Sequence, residues 1–177
     1  ITYDVLVHYN LEPELFSFGI LTSFENYLMQ GGITNYPVHI KLDTGMHRLG
    51  FPPAVVPDVL QQLRHVPAVT QVRIMSHFAR AEFSNDAVTQ SQINDFAGLT
   101  RNLGLETSLA NSAGILAWPS SHLDWVRPGI MLYGASPLAI KNAATLHLNP
   151  VMTLESALIA VQPRKKGDAI GYGGDWR

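Results

Sequence analysis

The sequence predicts an α/β fold built on a parallel sheet or barrel, and three observations carry that reading. Short apolar runs rich in β-branched residues alternate with longer stretches whose apolar residues recur at three- and four-residue steps. Polar residues with chemistry to offer, namely Lys41, His77, Asn111 and Arg127, fall at or just after the ends of the short runs. Lys41, His77 and Asn111 follow one another at intervals that suit one strand–helix unit of roughly 30 or more residues. Residues so placed share the carboxyl ends of one sheet, where α/β proteins bind ligands.

Taken in order, Val5-Leu6-Val7 predicts a short buried strand ending near His8. Leu11 to Gly31 reads as a loop and a helix. Its stripe is Phe16, Ile20, Phe24, Tyr27 and Leu28, and Gly31-Gly32 ends it. Val38, Ile40 and Leu42 alternate, so a strand runs from Val38 to Asp43, and Thr44-Gly45 turns the chain. Ala54 to His65 is the next helix, with Val55, Val59, Leu60 and Leu63 on one face. Pro57 is tolerable only in its first turn, and Pro67 closes it. Val72 to His77 is a strand. Thr89 to Leu103 is a helix with Ile93, Phe96, Ala97, Leu99 and Leu103 inward and Gly104 as its C-cap. Thr107 to Ala110 and Asp124 to Val126 are the last strands of the alternating part.

The pattern changes after Pro137. Leu138 to Pro150 has no period and reads as a connection. Met152 to Val161 reads as a long strand, Lys165 to Asp168 as a turn, and Ala169 to Tyr172 as the start of a returning strand. Residues 1–137 are therefore assigned to an α/β domain. Residues 138–177 are assigned to a linker and the start of a β-rich C-terminal domain.

Bulk properties narrow the function classes. Apolar residues make up 46% and charged residues 15% of the 177, which is a globular composition able to bury a core. A net charge of −2 offers no basic field for nucleic acid or an anionic membrane. There is no cysteine, hence neither a disulfide framework nor thiolate chemistry, which fits a reducing, cytoplasmic setting. No apolar run reaches the length of a membrane span. The start, Ile1-Thr2-Tyr3-Asp4, has neither a basic leader segment nor an initiator methionine, as expected of a chain that begins inside a larger protein.

Each candidate site residue has a functional and a structural reading. Lys41 and Arg48 are two cations at a strand end, suited to an anionic ligand, or a surface pair flanking a tight turn. Ser112 can donate to an anion at the start of a helical turn, or serve as its N-cap. Gly129 lets the backbone approach a phosphate, so its N–H and that of Ile130 can bind one, or it is a turn glycine. Arg127 can form a structural ion pair and His77 a structural contact. No nucleotide-binding glycine pattern occurs, and the histidines lack metal-ligand spacing, so no metal is expected.

Lys41-Leu42-Asp43-Thr44-Gly45-Met46-His47-Arg48-Leu49-Gly50 closely resembles the signature of alanine racemases. The resemblance continues through Ser76-His77-Phe78-Ala79, Asn111-Ser112-Ala113-Gly114, Arg127 to Gly134, and Gly171-Tyr172-Gly173-Gly174, in the family's order. It implies part of a (β/α)8 TIM-type barrel of fold type III that binds pyridoxal 5′-phosphate (PLP), acts on alanine as a homodimer, and makes D-alanine for peptidoglycan. It places Asn111, Ser112, Gly129 and Ile130 in the cofactor site, chiefly at the phosphate. Arg127 falls at the pyridine nitrogen and His77 behind that arginine. Arg48 falls at the phenolic oxygen and substrate carboxylate, and Lys41 at a position often carbamylated. The family's two catalytic bases, a Schiff-base lysine and a tyrosine, have no match in the chain, so the isolated chain is expected to show little or no activity. Five of eight barrel strands would also leave open edges and low stability. Rival readings are a broad-specificity amino-acid racemase and a non-catalytic PLP-binding module.

Overall fold

The computed structural model describes residues 2–177, so Ile1, the first residue of the predicted barrel range, lies outside the described residues. In chain order the elements are α1 (Tyr3–His8), β1 (Glu14–Leu15), α2 (Phe18–Gln30), β2 (Tyr36–Lys41), α3 (Val56–Arg64), β3 (Val69–Met75), α4 (Ala87–Thr100), β4 (Thr107–Ser108) and α5 (Ser112–Ala117). The four strands form one parallel sheet in sequence order, β1-β2-β3-β4. The α/β expectation holds. Helices α2, α3 and α4 each cross from the end of one strand to the start of the next, as parallel neighbours require.

The register separates two faces. Leu15, Ile40 and Ile74 are laterally paired, and with Val38 they face the helices. There they join Leu21, Phe24 and Leu28 of α2, Val56, Val59 and Leu63 of α3, and Ile93 and Phe96 of α4 in one core. The opposite face is polar. Glu14, His39 and Arg73 lie side by side across three strands, with Lys41, Met75 and Ser108 in the next row. Arg73 holds this face together. It pairs with Glu12, reaches Glu106 at 2.6 Å, and lies 5.2 Å from the centre of the Trp125 ring.

The long helices follow their apolar stripes. Ser17 caps α2, accepting from Ile20 N–H, and Asp86 caps α4, accepting from Thr89 N–H at 3.0 Å. Pro57 sits in the first turn of α3, as its missing N–H demands. Gly104 takes φ +64°, past the end of α4.

Four elements differ from expectation. Val5-Leu6-Val7 is not a strand but lies within α1, with no buried residue. Three apolar residues are too few to set a period. The contacts that decide are Tyr3 and Val7, one helical turn apart and packed against the core, and Asp4, which accepts from the Tyr27 hydroxyl at 2.7 Å. Met152 to Val161 forms no strand, and its large side chains are exposed. A strand exists only where another strand completes its hydrogen bonds, and none among the described residues pairs with this segment. The turn at Lys165–Asp168 does close, with Asp168 N–H donating to Lys165 O at 3.0 Å. The returning strand is reduced to one antiparallel bridge, Ile170 to Trp176. The predicted strand at Asp124–Val126 is likewise one parallel bridge, Ser108 to Trp125. Among the described residues, no helix is long and apolar enough to cross a membrane.

Candidate cofactor site

The loops after β2, β3 and β4 meet at the carboxyl end of the sheet. After β2, Asp43 organises the turn. Its Oδ1 accepts from the N–H of Gly45 and of His47, both at 3.0 Å, and its Oδ2 meets His47 Nδ1. Gly50 then returns the chain at φ +136°, so that Phe51 pairs with Leu42. A Cβ at Gly50 would stand 2.6 Å from Asp43 N, so the close approach requires glycine.

After β3, Ser76 is buried. Its hydroxyl donates to Leu42 O at 2.8 Å and lies 2.7 Å from Thr44 Oγ1, stitching the two loops. The buried Gln92 of α4 fixes the next residues. Its Oε1 accepts from Ala79 N–H at 3.0 Å, and its Nε2 donates to His77 O at 3.1 Å.

After β4, Asn111 caps α5 through Gly114 N–H at 2.9 Å. The expected alternatives for this pair divide, since Asn111 and not Ser112 is the cap. Ser112 Oγ instead accepts from Gly129 N–H at 2.7 Å and Met131 N–H at 3.3 Å. A hydroxyl has two acceptor sites and one donor. With both acceptor sites used, what Ser112 has left is its O–H, a donor suited to an anion. Ile130 begins a 3₁₀ turn running to Tyr133, so its N–H has no partner within that turn.

These loops enclose a cavity of about 490 Å³ lined by His77, Asn111, Ser112, Arg127, Gly129 and Ile130, with Glu82 and Ser136 on its wall. Six of the seven residues expected to bind cofactor thus meet in one place. Arg48 does not; it is exposed, outside the cavity lining. Lys41 is buried and donates to Glu14 Oε1 at 2.6 Å. Arg127 donates to Ser108 Oγ and to the carbonyl of Ser76, each at 2.5 Å, which ties β4 to the end of β3. Its fixation therefore comes from Ser76 and Ser108 rather than from a hydrogen bond to His77. Neither serine role was anticipated from sequence. Each serine sits at a strand end, and Ser76 also opens the Ser76-His77-Phe78-Ala79 motif.

Cations dominate the electrostatics around His77, with the Glu82 carboxylate also on the cavity wall. Burial, then the charges of Arg127, Lys41 and Arg48, push the His77 imidazole down to about 4, with Glu14 acting in the opposite sense. His77 is therefore neutral at pH 7. Burial also draws Arg127 below the usual arginine range, again against Glu14. A guanidinium so lowered still keeps its proton at neutral pH. The cavity thus offers a permanent cation, a neutral ring, one oriented hydroxyl and the N–H of Ile130, the Gly129 N–H being already donated to Ser112 Oγ. That set suits an anionic group.

Comparison with known proteins agrees with this chemistry. A family model described as the N-terminal domain of alanine racemase matches residues 2–137. The alanine racemase of Nitrosococcus oceani is 51% identical over 141 residues, covering 79% of this chain and 39% of that protein. The solved biosynthetic alanine racemase of Pseudomonas aeruginosa superposes with a TM-score of 0.81 at 38% identity, covering 98% of this chain and 48% of that one. Alanine racemase from Bartonella henselae, solved with covalently bound pyridoxal phosphate, gives a TM-score of 0.66 at 26% identity, covering 76% and 39%. The chain therefore spans less than half the length of these relatives.

Proposed function

Since this chain belongs to the alanine racemase family, we propose that it supplies the PLP-binding cradle of a homodimeric, cytoplasmic enzyme that interconverts L-alanine and D-alanine for peptidoglycan synthesis. The observation that supports this most is the convergence of His77, Asn111, Ser112, Arg127, Gly129 and Ile130 on one cavity. A volume of about 490 Å³ lies within the range of small-molecule and cofactor sites. Residues 1–137 belong, on this reading, to the PLP-binding barrel, and residues 138–177 to the linker and the start of a second domain.

When bound, PLP supplies the electron sink that acidifies the Cα–H of an amino acid. The chain's own residues bind and orient. The Ser112 hydroxyl and the N–H of Ile130 hold the phosphate, and Gly129, whose N–H is spent on Ser112 Oγ, orients that hydroxyl instead of binding the anion as expected from sequence. Arg127, locked by Ser76 and Ser108, donates to the ring nitrogen. Arg127 has no proton to release at neutral pH, so it leaves that nitrogen unprotonated. His77, neutral beside Arg127, lines the site without adding a charge to repel it. Arg48 is assigned by the family resemblance to the phenolic oxygen and substrate carboxylate, although it lies exposed outside the cavity lining. The two bases that move the proton are not assigned to this chain, which by itself is expected to show little or no racemisation.

An absorbance titration with PLP, followed by borohydride, tests the reading. The expected result is binding that inorganic phosphate competes away and that borohydride does not trap. Failure to bind PLP would refute the cradle. A reducible adduct would refute the assignment of the bases elsewhere.

A further inference from the structure

Resting on the reading of this cavity as the PLP site, we propose that Glu14 is the resident counter-ion of the buried Lys41 beside it. Through Glu14, Lys41 serves as an unmodified ammonium and not as a carbamate. Glu14 is a positioning residue and acts through Lys41.

Three observations carry this. The β1–β2 register pairs Glu14 with His39, which puts the Glu14 side chain on the polar face that also bears Lys41. Glu14 Oε1 stands 2.6 Å from Lys41 Nζ, and the Lys41 side chain is only 7% exposed. Glu14 is also the carboxylate whose charge opposes the cations acting on His77, and it acts in the same sense on Arg127. Lys41, Arg48 and Arg127 all act on His77 in one sense, and β1 supplies the carboxylate that opposes them.

The alternative source of an anion is chemical. In carbamylation the lone pair of a neutral Lys41 amine attacks the carbon of dissolved carbon dioxide. A C–N bond forms, one C=O pair moves onto oxygen, and a proton leaves the nitrogen for solvent. An ammonium donating to Glu14 has no lone pair to give. A carbamate at the same position would face the Glu14 carboxylate as a like charge at contact distance, which disfavours both anions together. Glu14 and a Lys41 carbamate are therefore alternatives. Removing the carboxylate leaves a buried cation without its partner, a costly state. Carbamylation of Lys41 relieves it by making a new anion.

The test uses the ligand-free chain in ¹³C-labelled bicarbonate buffer, read by ¹³C NMR, with Lys41→Met to assign any carbamate resonance. The wild-type protein and Glu14→Asp are expected to show no carbamate resonance. Glu14→Gln is expected to gain one that Lys41→Met abolishes. An ¹⁵N spectrum of wild type is expected to show a slowly exchanging Lys41 ammonium, a result that needs no variant to fold. A stoichiometric Lys41 carbamate in wild type, or identical spectra for wild type and a folded Glu14→Gln, would overturn the proposal. Neither readout involves PLP. Loss of PLP binding with the ammonium intact would refute the cofactor reading and leave the Glu14–Lys41 pairing standing.

Discussion

His77 shows how a few neighbours set one side chain's chemistry. Its imidazole is held neutral by burial and by Arg127, Lys41 and Arg48, with a value near 4 against the usual value of about 6.5. Between those two values the unfolded chain binds a proton that the folded chain refuses. The contribution of His77 to stability is therefore complete above about pH 6.5 and declines as pH falls toward 4. Below that both states are protonated and the loss stops. Histidine C–H resonances followed by NMR are expected to show His77 titrating near 4, and a midpoint near that of a free imidazole would refute the environment described. Arg127 gives a second prediction. It uses two nitrogens at once, on Ser108 Oγ and Ser76 O. Lysine presents a point charge where arginine presents a fork. Arg127→Lys is expected to keep the charge but lose one of the two bonds, at about 1 kcal/mol in thermal or denaturant stability. It is also expected to weaken PLP binding measured by absorbance. Unchanged stability would mean that the two serine contacts are incidental.

Gln92 acts between elements. Its amide takes the place of a missing backbone pairing, accepting from Ala79 N–H and donating to His77 O, so that α4 holds the loop carrying His77. Gln92→Ala leaves both groups without partners, and a chemical-denaturation midpoint is expected to report a loss of roughly 1–3 kcal/mol. Gln92→Glu should retain only the contact to Ala79 N–H and fall between the two, so equal stability of all three would refute the bridging role. This coupling was not legible in the sequence, because Gln92 lies inside a helix far in sequence from the loop it secures. What was legible has a physical reason. Helices α2, α3 and α4 each run long enough for an apolar stripe to repeat, and β2 alternates over its length. The site residues could be read because each stands at or just after a strand end, within a motif. Glu14 could not, since β1 is only two residues long and has no period to show which face it presents. Val5 to Val7 failed for the same reason. Its conformation is decided by Phe24 and Tyr27, against which Tyr3 packs with ring centres 5.2 and 5.3 Å away.

Order is unevenly distributed along the chain. Leu21, Leu28, Val38, Ile40, Val59 and Ile74 are fully buried in one core, where each truncation to alanine costs about 2–5 kcal/mol for leucine or isoleucine. Beyond Pro150 the balance reverses, with Leu154, Leu158 and Ile159 almost wholly exposed and no strand pairing until the bridge from Ile170 to Trp176. Backbone that is neither buried nor hydrogen-bonded opens at almost no free-energy cost, and proteases reach it first. The basic residues make this a sharp test. Arg164, Lys165 and Lys166 are exposed and outside regular structure, whereas Lys41 and Arg73 lie in strands, buried and ion-paired. Brief trypsin treatment followed by mass spectrometry is therefore expected to cut first at Arg164–Lys166, with Lys141 next, and to leave Lys41 and Arg73 intact in a persistent N-terminal fragment. Early cleavage at Lys41 or Arg73 would mean that the polar face of the sheet is open, and the cavity built on its carboxyl end would then lack a rigid floor. Survival of the Arg164–Lys166 segment would mean that Met152 to Val161 finds a strand partner in solution. The most direct candidate is the same segment of a second chain, and its pairing would appear as a concentration-dependent mass in sedimentation.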